Sequence, residues 1–357
     1  MYKRLLRPIL FLFDPELIHH ISFFIIKIFV NIPGVKYLTK KNFSITSKLL
    51  EREVFGIKFP NPVGLAAGFD KNAELFSELS SFGFGFIEIG TVTPQPQPGN
   101  KKKRIFRLNK DQSLINRLGF NNKGSENVSS RVKKNKPRGL LGINIGPNKD
   151  SINRVEDYIV CFKKFCNLAD YITINISSPN TENLRDFHER GELGNLIKTI
   201  NKEKKNNNSN IPIAVKISPD LTFDQIEGVS EILIENNVEI IIISNSTDKN
   251  RDALKNINKL EKGGLSGKPI EKISNNIINR FYKLIGKKII IIGVGGVDSA
   301  RGVYEKMTSG ATIVQLYTGM VYKGPKIASM INDDLVKILE KDGIKNIREI
   351  IGSKKSS

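Results

Sequence analysis

The chain has 357 residues, of which 39% are hydrophobic, and its long apolar runs allow one large or two ordinary domains and exclude wholesale disorder. Only two cysteines, Cys161 and Cys166, and three histidines are present, which excludes a disulfide scaffold and any four-cysteine metal site. We interpret the two cysteines as buried thiols of a reducing compartment. The net charge is +20, but the basic residues do not gather into one arm with interleaved aromatic residues, so the sequence argues against nucleic-acid binding.

The first 48 residues are predicted to form a separate helical unit with eight Lys and Arg residues and only two acids. Asp14 suits an N-cap with Pro15 at the first helical position, and the apolar residues that follow share one helix face. These residues are Leu17, Ile18, Ile21, Phe24, Ile25, Ile28 and Phe29. A shorter segment, 5–13, repeats the pattern before Asp14, and Ile32, Pro33 and Gly34 end the pair.

Two interpretations of this N-terminal unit stay open at this point. The segment has no small-residue cleavage site and no run of eighteen uncharged apolar residues, so it lacks the marks of a secretory signal or a spanning helix. Two short apolar helices with basic residues nearby are typical of a hairpin that lies in a membrane interface. The alternative is that the helices merely pack on the main domain.

From residue 49 to 342, short β-rich runs alternate with helical patterns such as 155–167, 223–236 and 270–285. Most runs are near-continuous in Ile, Val or Leu, as strands buried on both faces should be. The eight runs are 62–69, 85–92, 140–146, 171–178, 213–219, 239–245, 288–295 and 312–318. This count predicts an α/β fold, a (β/α)8 TIM barrel, with a doubly wound sheet as the alternative. A small hairpin at 54–59 precedes the barrel, and a basic tail, 343–357, follows it.

Polar residues are in excess where the predicted strands end, which is where a barrel of this kind places its active site. Asn and Lys are unfavourable inside β-rich runs, and such violations of local propensity tend to mark function. The ends hold Asp70 and Lys71, Gly90 and Thr91, Asn144, residues 175–180, Lys216, Asn245 and Ser246, Gly295 and Gly296, and residues 317–319.

These ends suggest a bound organic cofactor. Gly295 and Gly296, with residues 317–319, follow strands seven and eight, the usual phosphate site of this fold, although ordinary tight turns would also use glycine. The asparagines of 175–180 offer paired donors and acceptors to a planar amide or imide ring, or else cap a turn. A buried lysine needs a negative partner, so Lys216 and Lys71 could each be a cation beside an anionic cofactor or, alternatively, a lysine that forms a Schiff base. Metal ligands are lacking, which favours redox or carbanion chemistry on a cofactor.

A series of motifs in fixed order covers nearly the whole chain. The motifs lie at 64–72, 87–94, 116–122, 142–146, 175–180, 214–216, 263–267 and 292–296. In these residues the chain resembles the dihydroorotate dehydrogenases, the flavin enzymes of pyrimidine biosynthesis, in their membrane-associated, quinone-reducing class. The resemblance implies oxidation of dihydroorotate to orotate with a quinone as the electron acceptor.

The resemblance also implies one FMN per subunit at the barrel mouth, with Lys216 beside the pyrimidine edge of the flavin. The residues implied to bind FMN are Ala67, Gly68, Lys71, Thr91, Asn144, Asn175, Lys216, Ser244, Gly267, Gly296, Tyr317 and Thr318. Those implied to bind dihydroorotate are Lys71, Asn116, Arg117, Leu118, Gly119, Phe120, Asn175, Asn180, Asn245 and Ser246.

Ser178 aligns with the catalytic base, which would take the proton from C5 while a hydride leaves C6 for flavin N5. The soluble class carries Cys at this position, so Ser178 and the N-terminal helices both indicate the quinone class. His19 and Arg107 match positions that line the quinone tunnel. Three departures from the family pattern are Ser244 and Ser246 in place of threonines, Lys103 in place of a proline, and Glu182 where proline is frequent.

The expected partners are dihydroorotate and orotate, ubiquinone or another membrane quinone, and a membrane surface, with no nucleic acid and a monomeric chain. The expected location is the cytoplasmic face of a bacterial inner membrane, which assumes a bacterial source. The enzyme alternative is the soluble type that uses fumarate or NAD. The non-enzyme alternative is a basic RNA- or membrane-binding barrel that has lost FMN.

Overall fold

The structure, a computed structural model, describes residues 2–54, 56–135 and 139–354. Met1 of the predicted N-terminal unit, Phe55 of the predicted hairpin and residues 355–357 of the predicted tail therefore lie outside the described residues. The strands are β1 (Arg52–Val54), β2 (Ile57–Phe59), β3 (Val63–Leu65), β4 (Phe86–Val92), β5 (Ile105–Leu108), β6 (Ser113–Asn116), β7 (Leu140–Ile145), β8 (Tyr171–Asn175), β9 (Ile213–Ile217), β10 (Ile240–Ile243), β11 (Gly264–Gly267), β12 (Ile290–Val294) and β13 (Ile313–Leu316).

The helices surround these strands and precede them. They are α1 (Arg7–Leu10), α2 (Pro15–Asn31), α3 (Val35–Phe43), α4 (Phe76–Leu79), α5 (Gly124–Lys134), α6 (Arg154–Phe165), α7 (Arg190–Asn206), α8 (Phe223–Glu235), α9 (Glu271–Ile285), α10 (Ala300–Thr308), α11 (Thr318–Lys323) and α12 (Ile327–Lys341). A turn of π-helix, Tyr2–Leu6, lies before α1.

Eight parallel strands close into a barrel in the order β3, β4, β7, β8, β9, β10, β12 and β13, so the prediction of a TIM barrel is confirmed. Pairing of β13 with β3, at Val314 opposite Val63, completes the ring and excludes the open doubly wound sheet. Each predicted run contains one barrel strand. Apolar side chains fill the lower barrel, where Phe86, Tyr171, Ala214 and Ile313 pack together.

Two small sheets flank the barrel. β1 and β2 form the antiparallel hairpin predicted before the first strand, with Gly56 at its turn. β5, β6 and β11 form a three-stranded antiparallel sheet that the sequence analysis did not predict. Because β5 and β6 come from the segment after β4 while β11 precedes α9, this sheet joins two distant stretches of chain at the mouth of the barrel.

Helix α2 carries apolar residues on two faces. The side chain of Asp14 accepts hydrogen bonds from the backbone N–H groups of Glu16 (3.0 Å) and Leu17 (3.1 Å), so the predicted N-cap is confirmed. Phe23 and Val30 are buried against the barrel, whereas most of the predicted apolar face remains uncovered. The uncovered residues are Leu17, Ile21, Phe24, Ile25, Ile28 and Phe29, which are 39–68% exposed.

A buried ion pair fixes the start of α2 to the main domain. Arg104 donates to both carboxylate oxygens of Glu16, at 3.1 and 2.6 Å, and also to the carbonyl oxygens of Pro98 and Asn100. Within the described residues, none of the helices taken singly has the length and apolar character needed to cross a bilayer; α2 and α3 meet that test only together, and they are bent by 105°.

Candidate active site

A cleft opens at the carboxyl ends of the barrel strands. The small sheet β5–β6–β11 walls one side of it through Ile105, Leu114 and Gly267. The cleft brings together nineteen of the residues singled out in the sequence. They are Ala67, Gly68, Lys71, Thr91, Asn116, Leu118, Gly119, Phe120, Asn175, Ser178, Asn180, Lys216, Ser244, Asn245, Ser246, Gly267, Gly296, Tyr317 and Thr318.

Two of the residues predicted to bind FMN or dihydroorotate lie outside the lining of this cleft. Asn144 is fully buried one layer below, where its Oδ1 accepts hydrogen bonds from Thr91 Oγ1 (2.6 Å) and Asn175 Nδ2 (3.0 Å). Arg117 points away from the cleft and pairs with Glu261 at 2.8 Å. Asn144 points into the barrel from β7, whereas Arg117 directly follows the end of β6. Asn144 thus orients residues that line the cleft.

Glu88, in the middle of β4, is the residue of this region that sequence analysis missed. Its buried carboxylate accepts hydrogen bonds from Asn144 Nδ2, Tyr171 OH and Gln315 Nε2, each at 2.8 Å. A glutamate between two isoleucines in a strand buried on both faces was the available signal. The network makes a rigid polar floor beneath Thr91 and Asn175.

Two lysines supply positive charge to the cleft. Burial lowers the pKa of Lys71 to about 8, with Arg104 and Lys216 as further positive neighbours, and burial likewise lowers the pKa of Lys216, opposed by Glu88. Among the residues that the structure describes, no carboxylate lies within ion-pair distance of either ammonium group. Buried charges require a partner, so this site suits an anionic ligand.

The backbone before Lys71 is held by the side chain of Asp70. Its carboxylate accepts hydrogen bonds from the N–H groups of Glu74 (2.8 Å) and Leu75 (2.7 Å). Burial raises the pKa of Asp70 to about 6, and these backbone donors oppose the rise. The carboxylate therefore serves the loop, and its neighbour Lys71 is the residue that faces the cleft.

Ser178 lies on the loop after β8, is 5% exposed and lines the cleft. Its Oγ accepts a hydrogen bond from the N–H of Asn180 at 3.2 Å, while Asn180 Nδ2 donates to the carbonyl of Asn116 at 3.1 Å. Asn245 Nδ2 donates to Ser177 Oγ at 3.0 Å. These contacts place one hydroxyl within a ring of amides, an arrangement suited to a flat ligand with amide or imide edges.

The loop that carries Ser178 is tied to its neighbours by Arg185. The guanidinium lies 3.1 Å from Asp220 and 3.3 Å from Asp248, and it donates to the carbonyl of Ser246. These partners belong to the loops after β9 and β10. One side chain therefore connects three of the loops that form the mouth.

The turn after β12 forms a cradle of backbone. Gly295 and Gly296 have φ values of +119° and +75°, and a Cβ on Gly296 would collide with Glu271. On the opposite wall, Ser266 Oγ and Thr318 Oγ1 lie 2.9 Å apart. Backbone N–H groups and hydroxyls in this position are the features that bind phosphate in such barrels.

A second cavity lies between the N-terminal helices and the barrel. Its wall is largely apolar and includes Leu6, Leu10, Ile18, Ile25 and Ile26. The second cavity also borders the cleft. Six residues line both spaces, namely Gly68, Lys71, Ile105, Leu114, Leu118 and Tyr317.

His19 and Arg107, both predicted to lie on a tunnel, line this second cavity. His19 packs against Phe23 and Phe69, with ring centroids 4.3 and 5.1 Å away, and burial lowers its pKa to about 4. Arg107 donates to the carbonyl oxygens of Phe11 (3.1 Å) and Phe13 (2.8 Å). A row of rings, Phe23, Phe69 and Tyr317, continues from His19 to the cleft.

The described part of the chain contains no group of three or more His, Cys, Asp or Glu side chains that could hold a metal ion. Cys161 and Cys166 are both buried and unpaired. The geometry thus offers a polar cleft and an apolar cavity that share a wall.

Comparison with known proteins agrees with this geometry. Residues 49–339 match the family described as "Dihydroorotate dehydrogenase". The "Dihydroorotate dehydrogenase (quinone)" of Christiangramia forsetii is 49% identical over 96% of this chain and 99% of its own length, and that of Bartonella tribocorum is 42% identical over 96% and 94%. The crystal structure of DHODH from Eimeria tenella in complex with ferulenol covers 95% of each chain with a TM-score of 0.86 and 35% identity.

Proposed function

This chain belongs to the dihydroorotate dehydrogenase family, and on that premise we propose how its own residues carry out the reaction. The chain oxidises dihydroorotate to orotate and delivers the electrons to a quinone. One observation carries the proposal, namely that a polar cleft and a largely apolar cavity share a wall that includes Gly68, Leu118 and Tyr317. A polar substrate and an apolar electron acceptor can therefore occupy separate spaces on either side of one cofactor.

The family uses FMN, and the cleft suits that group in three respects. Lys216 is a buried cation that lacks a carboxylate partner among the described residues, the turn at Gly295 and Gly296 leaves room only for backbone, and amides surround the rest. When bound, FMN supplies the redox chemistry by accepting a hydride and then giving up the electrons. The residues proposed to hold it are Ala67, Gly68, Lys71, Thr91, Asn175, Lys216, Ser244, Gly267, Gly296, Tyr317 and Thr318, with Asn144 acting from below.

Lys216 supports the flavin by its charge. Its ammonium reaches the cleft from the inward face of β9, above the carboxylate of Glu88, which favours its protonated form. A fixed positive charge in a site that excludes water stabilises negative charge that develops on a bound ring. The barrel thus supplies electrostatic stabilisation without a metal ligand.

Dihydroorotate carries a carboxylate and an imide, and the cleft offers a partner for each. Lys71 supplies the cation, and Asn116, Asn175, Asn180 and Asn245 supply amides that both donate and accept. Leu118, Gly119, Phe120 and Ser246 complete the pocket wall. Arg117 supports this wall from outside the cleft, because its guanidinium pairs with Glu261 and donates to the carbonyl of Lys262.

Ser178 is proposed to take the proton from C5 of dihydroorotate. Its hydroxyl is buried in the cleft and accepts only the N–H of Asn180 among the described residues, so its own proton can be directed elsewhere. A neutral serine is a weak base, so the proton must pass onward through a hydroxyl or water. The adjacent hydroxyl, Ser177 Oγ, already donates to Asn175 Oδ1 at 2.9 Å, so Thr181, three residues along the same loop and 8% exposed, is the candidate relay.

The second cavity is proposed as the quinone site. Its apolar wall comes largely from α1, α2 and Phe69, and its polar residues include His19 and Arg107. The uncovered face of α2 beside the cavity entrance has the character of a surface that lies on a membrane, where quinones dissolve. We therefore propose peripheral membrane association through α1 and α2.

The two half-reactions can be followed separately by flavin absorbance. Anaerobic dihydroorotate is expected to bleach the flavin, and a short-chain ubiquinone is expected to restore its colour. Bleaching without recovery by quinone, together with recovery by fumarate or NAD, would instead support the soluble type of enzyme. Absence of a flavin signal after FMN addition would refute the proposed cofactor role.

Replacing Ser178 tests the proposed base. Ser178→Ala is expected to slow flavin reduction by about 10²- to 10⁴-fold, the usual contribution of a general base, with FMN still bound. Ser230→Ala is the matched control, because Ser230 is also buried but donates to the carbonyl of Ile226 within α8. A reduction rate for Ser178→Ala close to that of the control would remove Ser178 from the mechanism.

A further inference from the structure

Lys306, on α10, is a fully buried lysine that none of the roles above uses. Its ammonium donates to Ser274 Oγ at 2.9 Å and to Asn275 Oδ1 at 2.7 Å, both of which are neutral groups. Among the described residues, no carboxylate lies within ion-pair distance of it. A buried charge is costly unless it is paired, so such a lysine calls for a reason beyond packing.

The position of Lys306 connects it to the phosphate cradle. Ser274 Oγ, which accepts from the lysine, donates in turn to the carbonyl of Val294 at 2.6 Å. Val294 directly precedes Gly295, and a Cβ on Gly295 would lie 3.3 Å from the same Ser274 Oγ. The stem of Lys306 runs along Gly293, where a Cβ would lie 2.6 Å from the Cδ of the lysine. The ammonium is thus one hydroxyl away from the turn that lines the cleft.

The charged groups around Lys306 do not neutralise it. Glu271, at the start of α9, favours the protonated lysine, but its Oε2 already pairs with Lys268 at 2.6 Å and its buried Oε1 has no hydrogen-bond partner. Lys268 opposes protonation of Lys306, and Asp298 lies 3.5 Å from Lys268. Burial is the largest effect and lowers the pKa of Lys306 to about 7. The buried ammonium of Lys306, behind the turn at Gly295 and Gly296, therefore favours binding of an anion on the cleft side of that turn.

We propose that Lys306 is a positioning residue for the phosphate of the flavin nucleotide. Its ammonium orients the Ser274 hydroxyl, which holds the carbonyl of Val294 and with it the turn at Gly295 and Gly296. The same ammonium adds buried positive charge behind that turn. This inference rests on the proposed FMN site and names the residue that selects the phosphorylated form of the flavin.

Riboflavin, which has the same ring but no phosphate, separates this role from packing. In protein stripped of flavin, Lys306→Met is expected to weaken FMN binding tenfold or more, as loss of a nearby buried charge should, measured by quenching of flavin fluorescence. Riboflavin binding is expected to change by less than about threefold. Equal weakening for both ligands, or no change for either, would overturn the proposal. Lys337→Met, at an exposed lysine of α12, is the control.

A second variant keeps the test decisive if Lys306→Met fails to fold. Ser274→Ala leaves the charge in place but removes the hydroxyl between the lysine and Val294. It is expected to weaken FMN binding more than riboflavin binding, and an unchanged ratio of the two affinities would contradict the positioning role.

The pH dependence of binding provides a third readout. Because phosphate favours the protonated lysine, FMN binding above pH 7 must be accompanied by proton uptake, and affinity should fall by up to about tenfold per pH unit. The ratio of FMN to riboflavin affinity should therefore decline from pH 7 to 9 in the unaltered protein and stay constant in Lys306→Met. A wild-type protein that binds neither flavin would refute the proposed function itself, whereas a wild-type ratio that is independent of pH would refute only the role of Lys306.

Discussion

The cleft at the barrel mouth and the cavity beside the N-terminal helices differ in the polarity of the side chains that form them. At the mouth, Glu88, Asn144 and Asn175 are buried polar residues joined by hydrogen bonds of 2.8–3.0 Å. The N-terminal cavity is lined mainly by aliphatic and aromatic side chains, and a few polar contacts, such as that between Glu16 and Arg104, attach its helices to the barrel. The outer face of those helices is left without a protein partner among the described residues.

This difference shows how one chain can combine a rigid site with a permissive one. Hydrogen bonds are directional, so the floor of the cleft specifies the orientation of each amide. Apolar contacts are not directional, so the second cavity specifies size and polarity but not a single pose. The mouth should therefore respond sharply to single polar substitutions, whereas the helices should respond mainly to loss of apolar area or of an anchor.

The largest effect is expected from breaking the polar floor. Glu88→Gln places an amide where three donors converge, which is expected to destabilise the fold by about 3–5 kcal/mol and to lower FMN content. Urea unfolding measures the loss of stability, and the flavin-to-protein absorbance ratio measures the FMN content. Glu239→Gln is the control, because Glu239 accepts from Ile213 N–H and pairs with Lys204. A loss no greater than that of the control would contradict a special role for the floor.

The exposed face of α2 is expected to give the next largest effect. Phe24→Ser combined with Phe29→Ser removes two side chains that are 68% and 58% exposed, and should weaken binding to phospholipid vesicles by about a hundredfold. Flavin reduction by dihydroorotate should be unchanged. Ile152→Asp alters a fully exposed apolar residue of the barrel and should leave vesicle binding intact. Equal losses in the variant and this control would mean that α2 is not the contact surface.

Acid should destabilise the protein through His19. Its pKa in the fold is about 4, below the ordinary 6.5, so the unfolded chain binds the extra proton and stability falls as the pH drops from 6.5 toward 4. His19→Phe should reduce the loss of unfolding free energy between pH 7 and 5 by about 2 kcal/mol, measured by urea titration at each pH. Part of the loss of unfolding free energy should remain in His19→Phe, because the pKa of the barrel residue His188 is likewise lowered to about 4.

The smallest effect is expected from the anchor of α2. Glu16→Gln keeps the shape of the side chain but removes the charge that pairs with Arg104, and should raise the KM for quinone by about fivefold through a looser cavity. The rate of flavin reduction should change by less than about twofold. Lys102→Met is the control, because Lys102 is 70% exposed and 3.8 Å from Glu16. An equal effect on both half-reactions would argue against separate sites.

The sequence predicted the barrel well because its signal is local. Most of the eight strands are short runs rich in Ile, Val or Leu with polar residues at their ends, and the helices α6, α8 and α9 begin and end within two residues of their predicted bounds. The N-cap at Asp14 was readable for the same reason. The asparagines and Lys216 were prominent because their residue types are unfavourable in buried strands, whereas Ser178 was identified through the family resemblance.

The sequence could not predict features that depend on distant pairing. β11 contains glycines and a serine, has no β-propensity of its own, and exists because it pairs with β6 about 150 residues earlier. Glu88 was overlooked because its donors come from three other strands. The apolar face of α2 was visible, but which face packs on the barrel, through Phe23 and Val30, depended on the shape of the barrel surface.

The shared wall between the two cavities bears on how resistance to an inhibitor could arise. A compound lodged among α1 and α2 alone could be escaped by many aliphatic substitutions, since those positions tolerate changes of shape. A compound that also presses on Gly68 and Tyr317 meets residues that line the polar cleft as well. A side chain at Gly68, where φ is +97°, would strain the backbone and contact Tyr317 at 3.4 Å. Resistance substitutions in the shared wall would therefore impair the enzyme itself, whereas those among α1 and α2 would not.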